Sequence, residues 1–289
     1  MSEVTIAARR TDILGEGPRW DRRRGRLYWL DIKGKKLQWL EPATGDDGAL
    51  DLPVGASALA PRGDASLLLA TERGFAVLDP DTGAFEVKIE VEPERPGNRS
   101  NDGGVDLQGR FWMGTMDDAE EHRSGALYRL DPDWTCHRVL DGAAILNTVA
   151  VSPDGKTFYQ ADSKDQTIYA WDLDEHGLLS RQREFVDLKG TDAWPDGSAV
   201  DAHGFLWNAQ WGAWRVVRYS PEGTVDRIVP MPVEQPSSCA FGGPDLDTLY
   251  ITSARVGLSG EALAAQPDAG CLFALRPGVT GLPLPDFAG

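Results

Sequence analysis

One short unit is written into the chain six times: a polar residue, a short apolar strand, a Gly/Asp/Pro turn, then a strand carrying two adjacent large apolar residues. Those pairs are Leu27–Tyr28, Leu67–Leu68, Phe111–Trp112, Phe158–Tyr159, Leu206–Trp207 and Leu249–Tyr250, and they recur every 40 to 48 residues. The period is too long for a hairpin and fits one four-stranded propeller blade. The expected fold is therefore all-β, a six-bladed β-propeller. In that fold the mouth of the central channel is the natural place for function.

The third unit shows the pattern most fully. Gly103 to Asp106 reads as a first strand and Arg110 to Gly114 as a second, with a loop over Thr115 to Ser124. Ala126 to Leu130 and Thr135 to Val139 then read as the third and fourth strands, separated by the Asp131-Pro132-Asp133 turn. The first unit starts near Glu16, which leaves the strand-like segment Val4 to Ala8 unassigned, while the last unit stops after its third strand. Pairing the orphan strand with the last blade closes the ring and removes its edges. With no linker or low-complexity tract in between, residues 1–289 are expected to form one domain. A single helix is expected over Ser259 to Gln266, capped by Ser259 and stopped by Pro267.

A net charge of −16 argues against nucleic acid or an anionic membrane as partner, since both reward clustered Lys and Arg. The three cysteines, Cys136, Cys239 and Cys271, are odd in number and far apart, unlike a secreted disulfide framework. The opening residues carry no apolar signal segment, and no stretch has the length of a membrane span. These features lead to the expectation of a cytoplasmic protein with no obligate protein partner.

The repeat phase selects candidate site residues. Eleven or twelve residues before the second member of each pair stand Glu16, Ser57, Asn101, Asn147, Asp196 and Ser238, all polar. Each begins the innermost strand of its blade, so all six are expected at the channel mouth. Any one could be an ordinary turn or strand-end residue; Asp196, for instance, lies in a Pro-Asp-Gly turn triplet. Unrelated turns have no reason to place oxygen donors in one phase. An all-oxygen set suits a hard divalent cation such as calcium, magnesium or manganese, with zinc or iron(II) not required by ligand type. The four histidines are off this phase, and no G-x-S-x-G elbow, H-E-x-x-H pair, Walker loop or dinucleotide fingerprint is present.

At these residues the chain resembles the regucalcin/gluconolactonase family, also called the senescence marker protein family, whose members are six-bladed propellers. The stretches that carry the resemblance are LGEGPRW (14–20), RSNDGGVDLQGRFWMGTM (99–116), LNTVAVSPDGKTFY (146–159), WPDGSAVDAHGFLW (194–207) and SCAFGGPDLDTLYITSA (238–254), spread over almost the whole chain. The resemblance implies one divalent metal on Glu16, Asn147 and Asp196, and substrate contacts from Arg99 and Asn101. Two departures stand out. Thr148 follows the metal-site Asn where the family often has Gly, and Ala119 occupies the place of a substrate-binding Glu. Glu120 or Glu121, just beyond, is the expected substitute, with Glu120 taken as the candidate substrate contact.

The family's enzymes hydrolyse sugar lactones, so the implied function is metal-dependent opening of an aldonolactone in carbohydrate catabolism. Asp196 is expected to act as general base toward the attacking water. The rival expectations are a non-catalytic metal-binding propeller and a protein-interaction propeller. A pentonolactone and a hexonolactone differ by one hydroxymethyl group, a difference left to loop side chains.

Overall fold

A computed structural model describes residues 3–289. Twenty-four strands form six four-stranded antiparallel sheets. The strands lining the channel are Gly15–Asp21, Ala56–Pro61, Asn98–Val105, Leu146–Val151, Trp194–Val200 and Pro236–Gly242. They open blades 1 to 6 in chain order, and three further strands step outward in each. Blade 6 takes its outermost strand from the N-terminus: Thr5–Ala8 pairs with Leu272–Leu275, with Thr5 opposite Ala274 and Ala8 opposite Leu272. The ring is closed as the repeat predicts. The helix is also where it was expected, at Gly260–Ala265, with Ser259 accepting from the Ala262 N–H.

The paired landmark residues show why the blades stack. Neighbours in a strand face opposite sides of the sheet, so each pair feeds both flanking interfaces. Tyr28 and Leu67 share one apolar cluster, Leu68 and Phe111 the next, then Trp112 and Phe158, then Tyr159 and Leu206. The largest cluster joins blades 5, 6 and 1 through Trp207, Leu249, Tyr250 and Leu27. All twelve landmark residues are buried. Outermost strands instead alternate, as in Asp46–Asp51 and Phe85–Glu90, with every second residue toward water.

Buried aspartates pin the second strands of blades 3 and 5. Asp106 accepts from Trp112 Nε1 at 2.9 Å and Arg110 Nε at 2.6 Å, and Asp201 accepts from Trp207 Nε1 at 3.0 Å. Beyond blade 6 the chain does something the repeat did not indicate. Residues 277–289 cross the face opposite the channel mouth, bonding Gly281 N to Leu246 O, Leu282 N to Val200 O and Ala288 N to Gly109 O. Phe287 is buried between blades 2 and 3.

Candidate active site

Each inner strand carries a break in register at its entrance. The shifts fall between Glu16 and Arg19, Ala56 and Ala58, Ser100 and Gly103, Asn147 and Ala150, Pro195 and Ser198, and Pro236 and Cys239. A bulge leaves one residue unpaired and turns its side chain out of the ladder. The first strand of blade 3 accordingly begins at Asn98, five residues before the expected start, because its bulged portion still pairs with the second strand. In blade 1, Gly17 has φ +55°, and a Cβ there would lie 2.4 Å from the Ser57 carbonyl. Only glycine allows this approach of neighbouring strands beside Glu16.

Four of the six phase-selected residues, Glu16, Asn101, Asn147 and Asp196, line one cavity of about 240 Å³ at the mouth. The other two do not. Ser57 donates to Ser100 Oγ at 2.8 Å, and Ser238 lines a separate space of about 100 Å³ deeper in the channel. Their short side chains do not extend to the mouth cavity. Arg99 and Glu120 line it too, whereas Ala119 and Glu121 do not. Cys239, next to Ser238, is buried and donates to Trp207 O.

Glu16 and Asp196 are 5% and 7% exposed. Burial, then the Asp196 and Asp102 charges, push Glu16 well above the usual carboxylate range. Burial, then Asp102, do the same to Asp196. Single backbone N–H groups, of Gly17 and Gly197, offset this only in part, and Arg99 pulls both downward. Asp102 itself is raised by burial to about 6 despite N–H donors from Val149 and Gly103. Buried like charges without a bonded cation are costly. A divalent cation would remove that cost, so the donor set fits one. Among the described residues no three His, Cys, Asp or Glu side chains gather closely enough to hold a metal. Two carboxamides, Asn101 and Asn147, line the same cavity and offer further oxygen donors beside Glu16 and Asp196.

Around these residues runs a directed set of hydrogen bonds. Arg99 gives Nε to Asp118 at 2.6 Å and Nη1 to Asn101 Oδ1 at 2.8 Å. Asn101 Nδ2 donates to Asn147 Oδ1 at 2.9 Å, and Asn147 Nδ2 to Ser163 Oγ at 2.8 Å. Asp118 also receives Lys33 Nζ at 2.6 Å; burial raises it, but Lys33 and Arg99 hold it below its ordinary range. Glu120 is tied to Lys164 at 2.7 Å, and Lys164 sits over the Trp194 ring. Trp194 and Trp211, paired across blade 5, with Met116 and Ile145, make the apolar wall.

Sequence reasoning missed Lys33, Asp118, Ser163 and Trp211. A signal was present. In an antiparallel pair the second strand ends beside the start of the first, so counting forward from each landmark pair also leads to the mouth. Second strands end at Asp31, Asp117, Asp162 and Trp211, at or within two residues of all four.

The family model described as SMP-30/Gluconolactonase/LRE-like region matches residues 14–255. The chain belongs to that family. It is 42% identical to a protein named L-arabinolactonase from Azospirillum brasilense, over 99% of this chain and 96% of that one. A 6-deoxy-6-sulfogluconolactonase from Pseudomonas putida is 38% identical, with 99% of each chain covered. Among solved structures, a calcium-binding protein, regucalcin, from Agrobacterium tumefaciens superposes with a TM-score of 0.92 at 34% identity, covering 97% of this chain and 95% of that one. The family's propeller is the fold described above, and among the described residues no helix is long and apolar enough to cross a membrane.

Proposed function

We propose that the chain hydrolyses a sugar lactone to the open aldonic acid in the mouth cavity, with one divalent cation held by Glu16, Asn147 and Asp196. The observation that carries this reading is the pair of buried carboxylates facing one cavity with a carboxamide oxygen beside them. A cavity of about 240 Å³ is smaller than a drug-sized pocket and suits a monosaccharide-sized ligand. Relatives named for lactone hydrolysis align over nearly the full length. When bound, the cation supplies positive charge against which a lactone carbonyl, and the charge developing on it, is stabilised.

The remaining steps fall to side chains of this chain. Arg99, held by Asp118 and Asn101, keeps Nη2 for a ring or hydroxyl oxygen of the substrate. Asn101 shares that contact. Glu120 is assigned the loop contact to a sugar hydroxyl, in place of the residue lost at Ala119. Asp196 takes a proton from the attacking water as a bond forms to the carbonyl carbon. The ring C–O bond breaks, its oxygen leaves as a hydroxyl after receiving a proton, and the net change is addition of one water. The acid product ionises and releases a proton. Three free cysteines, two of them buried, support a place in the reducing cytoplasm, in carbohydrate catabolism.

Proton release gives the test. A pH-indicator assay over pentono- and hexonolactones should show turnover that a chelator abolishes and a divalent cation restores. One hydroxymethyl group in a pocket is worth about 1–3 kcal/mol, so the panel should rank the two classes by roughly 10- to 200-fold. A cation-saturated preparation that opens no lactone would overturn the hydrolytic reading in favour of cation binding alone.

A further inference from the structure

Ser163 opens a single 3-10 turn, Ser163–Asp165, after the second strand of blade 4. The turn is fixed from both sides. Ser163 N donates to Ile145 O at 3.0 Å, and buried Asp162 accepts from the N–H groups of Ala144, Ile145 and Lys164. Ser163 is itself buried and lines the mouth cavity. Its Oγ lies 2.7 Å from the carbonyl oxygen of Pro195 and 2.8 Å from Asn147 Nδ2.

A carbonyl oxygen only accepts, so the one hydroxyl proton of Ser163 is committed to Pro195. Toward Asn147 the hydroxyl then offers lone pairs alone. The Asn147 amide must present its NH₂ to Ser163 and its oxygen to the other side. There Asn101 Nδ2 meets that oxygen at 2.9 Å, while Asn101 also donates to Leu146 O at 3.0 Å and accepts from Arg99 through Oδ1. Donation therefore runs one way, from Arg99 through Asn101, Asn147 and Ser163 to Pro195. A flipped Asn147 would set oxygen against a Ser163 oxygen without a proton, and NH₂ against NH₂.

We propose that Ser163 is a positioning residue that sets this polarity, keeping the Asn147 carboxamide oxygen toward the cation site and tying it to Pro195, the residue before Asp196. This rests on the reading of Glu16, Asn147 and Asp196 as the cation site. Partners that orient metal ligands commonly contribute about 10- to 100-fold in affinity.

The test is calorimetric titration of the metal-free protein with calcium and with manganese. Ser163→Ala should weaken cation binding about 10-fold or more, with the fold retained by circular dichroism. Ser163→Thr, which keeps the hydroxyl, should stay within about 3-fold of wild type. The deciding arm is a double-mutant cycle with Asn147→Asp. A carboxylate has no amide to orient, so in that background Ser163→Ala should cost little or nothing. An equal loss in both backgrounds would make Ser163 a packing residue and overturn the proposal, as would unchanged affinity of Ser163→Ala itself. A wild-type chain that takes up neither cation overturns the site reading as well, and is seen before any variant is made.

Discussion

Asp196 is assigned two roles, cation ligand and base, that different substitutions separate. Asp196→Asn keeps an oxygen and the side-chain size but removes the basic carboxylate. Expected are an intact fold, weaker cation binding and a kcat lower by about 10²-fold or more at saturating cation. Asp196→Ala should lose both cation and turnover. Near wild-type kcat in the Asn variant, measured with bound cation on the same preparation, would move the base elsewhere. The raised carboxylates also fix a pH dependence. Glu16, Asp102 and Asp196 bind protons more tightly folded than unfolded, so without a cation the native state carries more protons above pH 4. Stability then falls as pH rises through the folded values, about 6 for Asp102. Carboxylates held low, such as Asp118 and Asp141, titrate below this window. The Tm of chelated protein should therefore rise between pH 7.5 and 5.5. The extra Tm given by saturating cation should shrink over the same range, because protons compete for Glu16 and Asp196. A chelated protein whose Tm falls on that acidification would contradict the burial argument.

At the level of the strand, the bulges carry the site, and one is held in an unusual way. Thr148, next to Asn147, has φ +58°, an outlier for a β-branched residue, and is fully buried. Its hydroxyl donates to Asp196 O at 2.6 Å, joining the bulges of blades 4 and 5. Asn208 Nδ2 reaches the same oxygen at 2.9 Å, so that carbonyl keeps a donor when the hydroxyl is removed. Two variants then isolate the backbone term. Thr148→Ala loses the hydroxyl and the methyl and keeps the strain; Thr148→Gly loses both as well and relieves it. Gly should be the less destabilised of the two by about 1–2 kcal/mol in denaturant unfolding. Equal stabilities would mean that the left-handed conformation costs nothing here.

For the whole molecule, the consequential contacts are those that close the ring. Thr5–Ala8 covers the edge of Leu272–Leu275, and Arg9 adds an ion pair to Asp268 at 2.8 Å. Removing residues 1–10 uncovers that edge and opens the largest apolar cluster, which contains Ala8. The truncated chain should melt lower by on the order of 5 °C or more. A truncated chain as stable as the full one would sink the closure argument. We further propose that residues 1–289 form one domain, so calorimetry of the full chain should show a single transition. Residues 277–289 work toward the same end from the opposite face, linking blades 6, 5, 3 and 2 through Gly281, Leu282, Ala288 and Phe287.

The repeat alone determined blade number, strand direction, ring closure and which polar residues begin the inner strands. These depend on period and alternation, which are local and survive being read one residue at a time. Glu16, Asn101, Asn147 and Asp196 share the mouth cavity because phase in a closed repeat is position in space. The tertiary structure decided the rest. Ser57 and Ser238 have the right phase, but their side chains are too short to line that cavity. The loop after Met116 brings Asp118 to Arg99 and Glu120 to the cavity while Glu121 stays out of it, a choice that backbone conformation makes and the run of acids in the sequence does not encode. The tail across the far face has no repeat to announce it. Ser163 carries no motif; its role follows from a single hydroxyl proton having one available acceptor, which is known only once Pro195 and Asn147 are placed beside it.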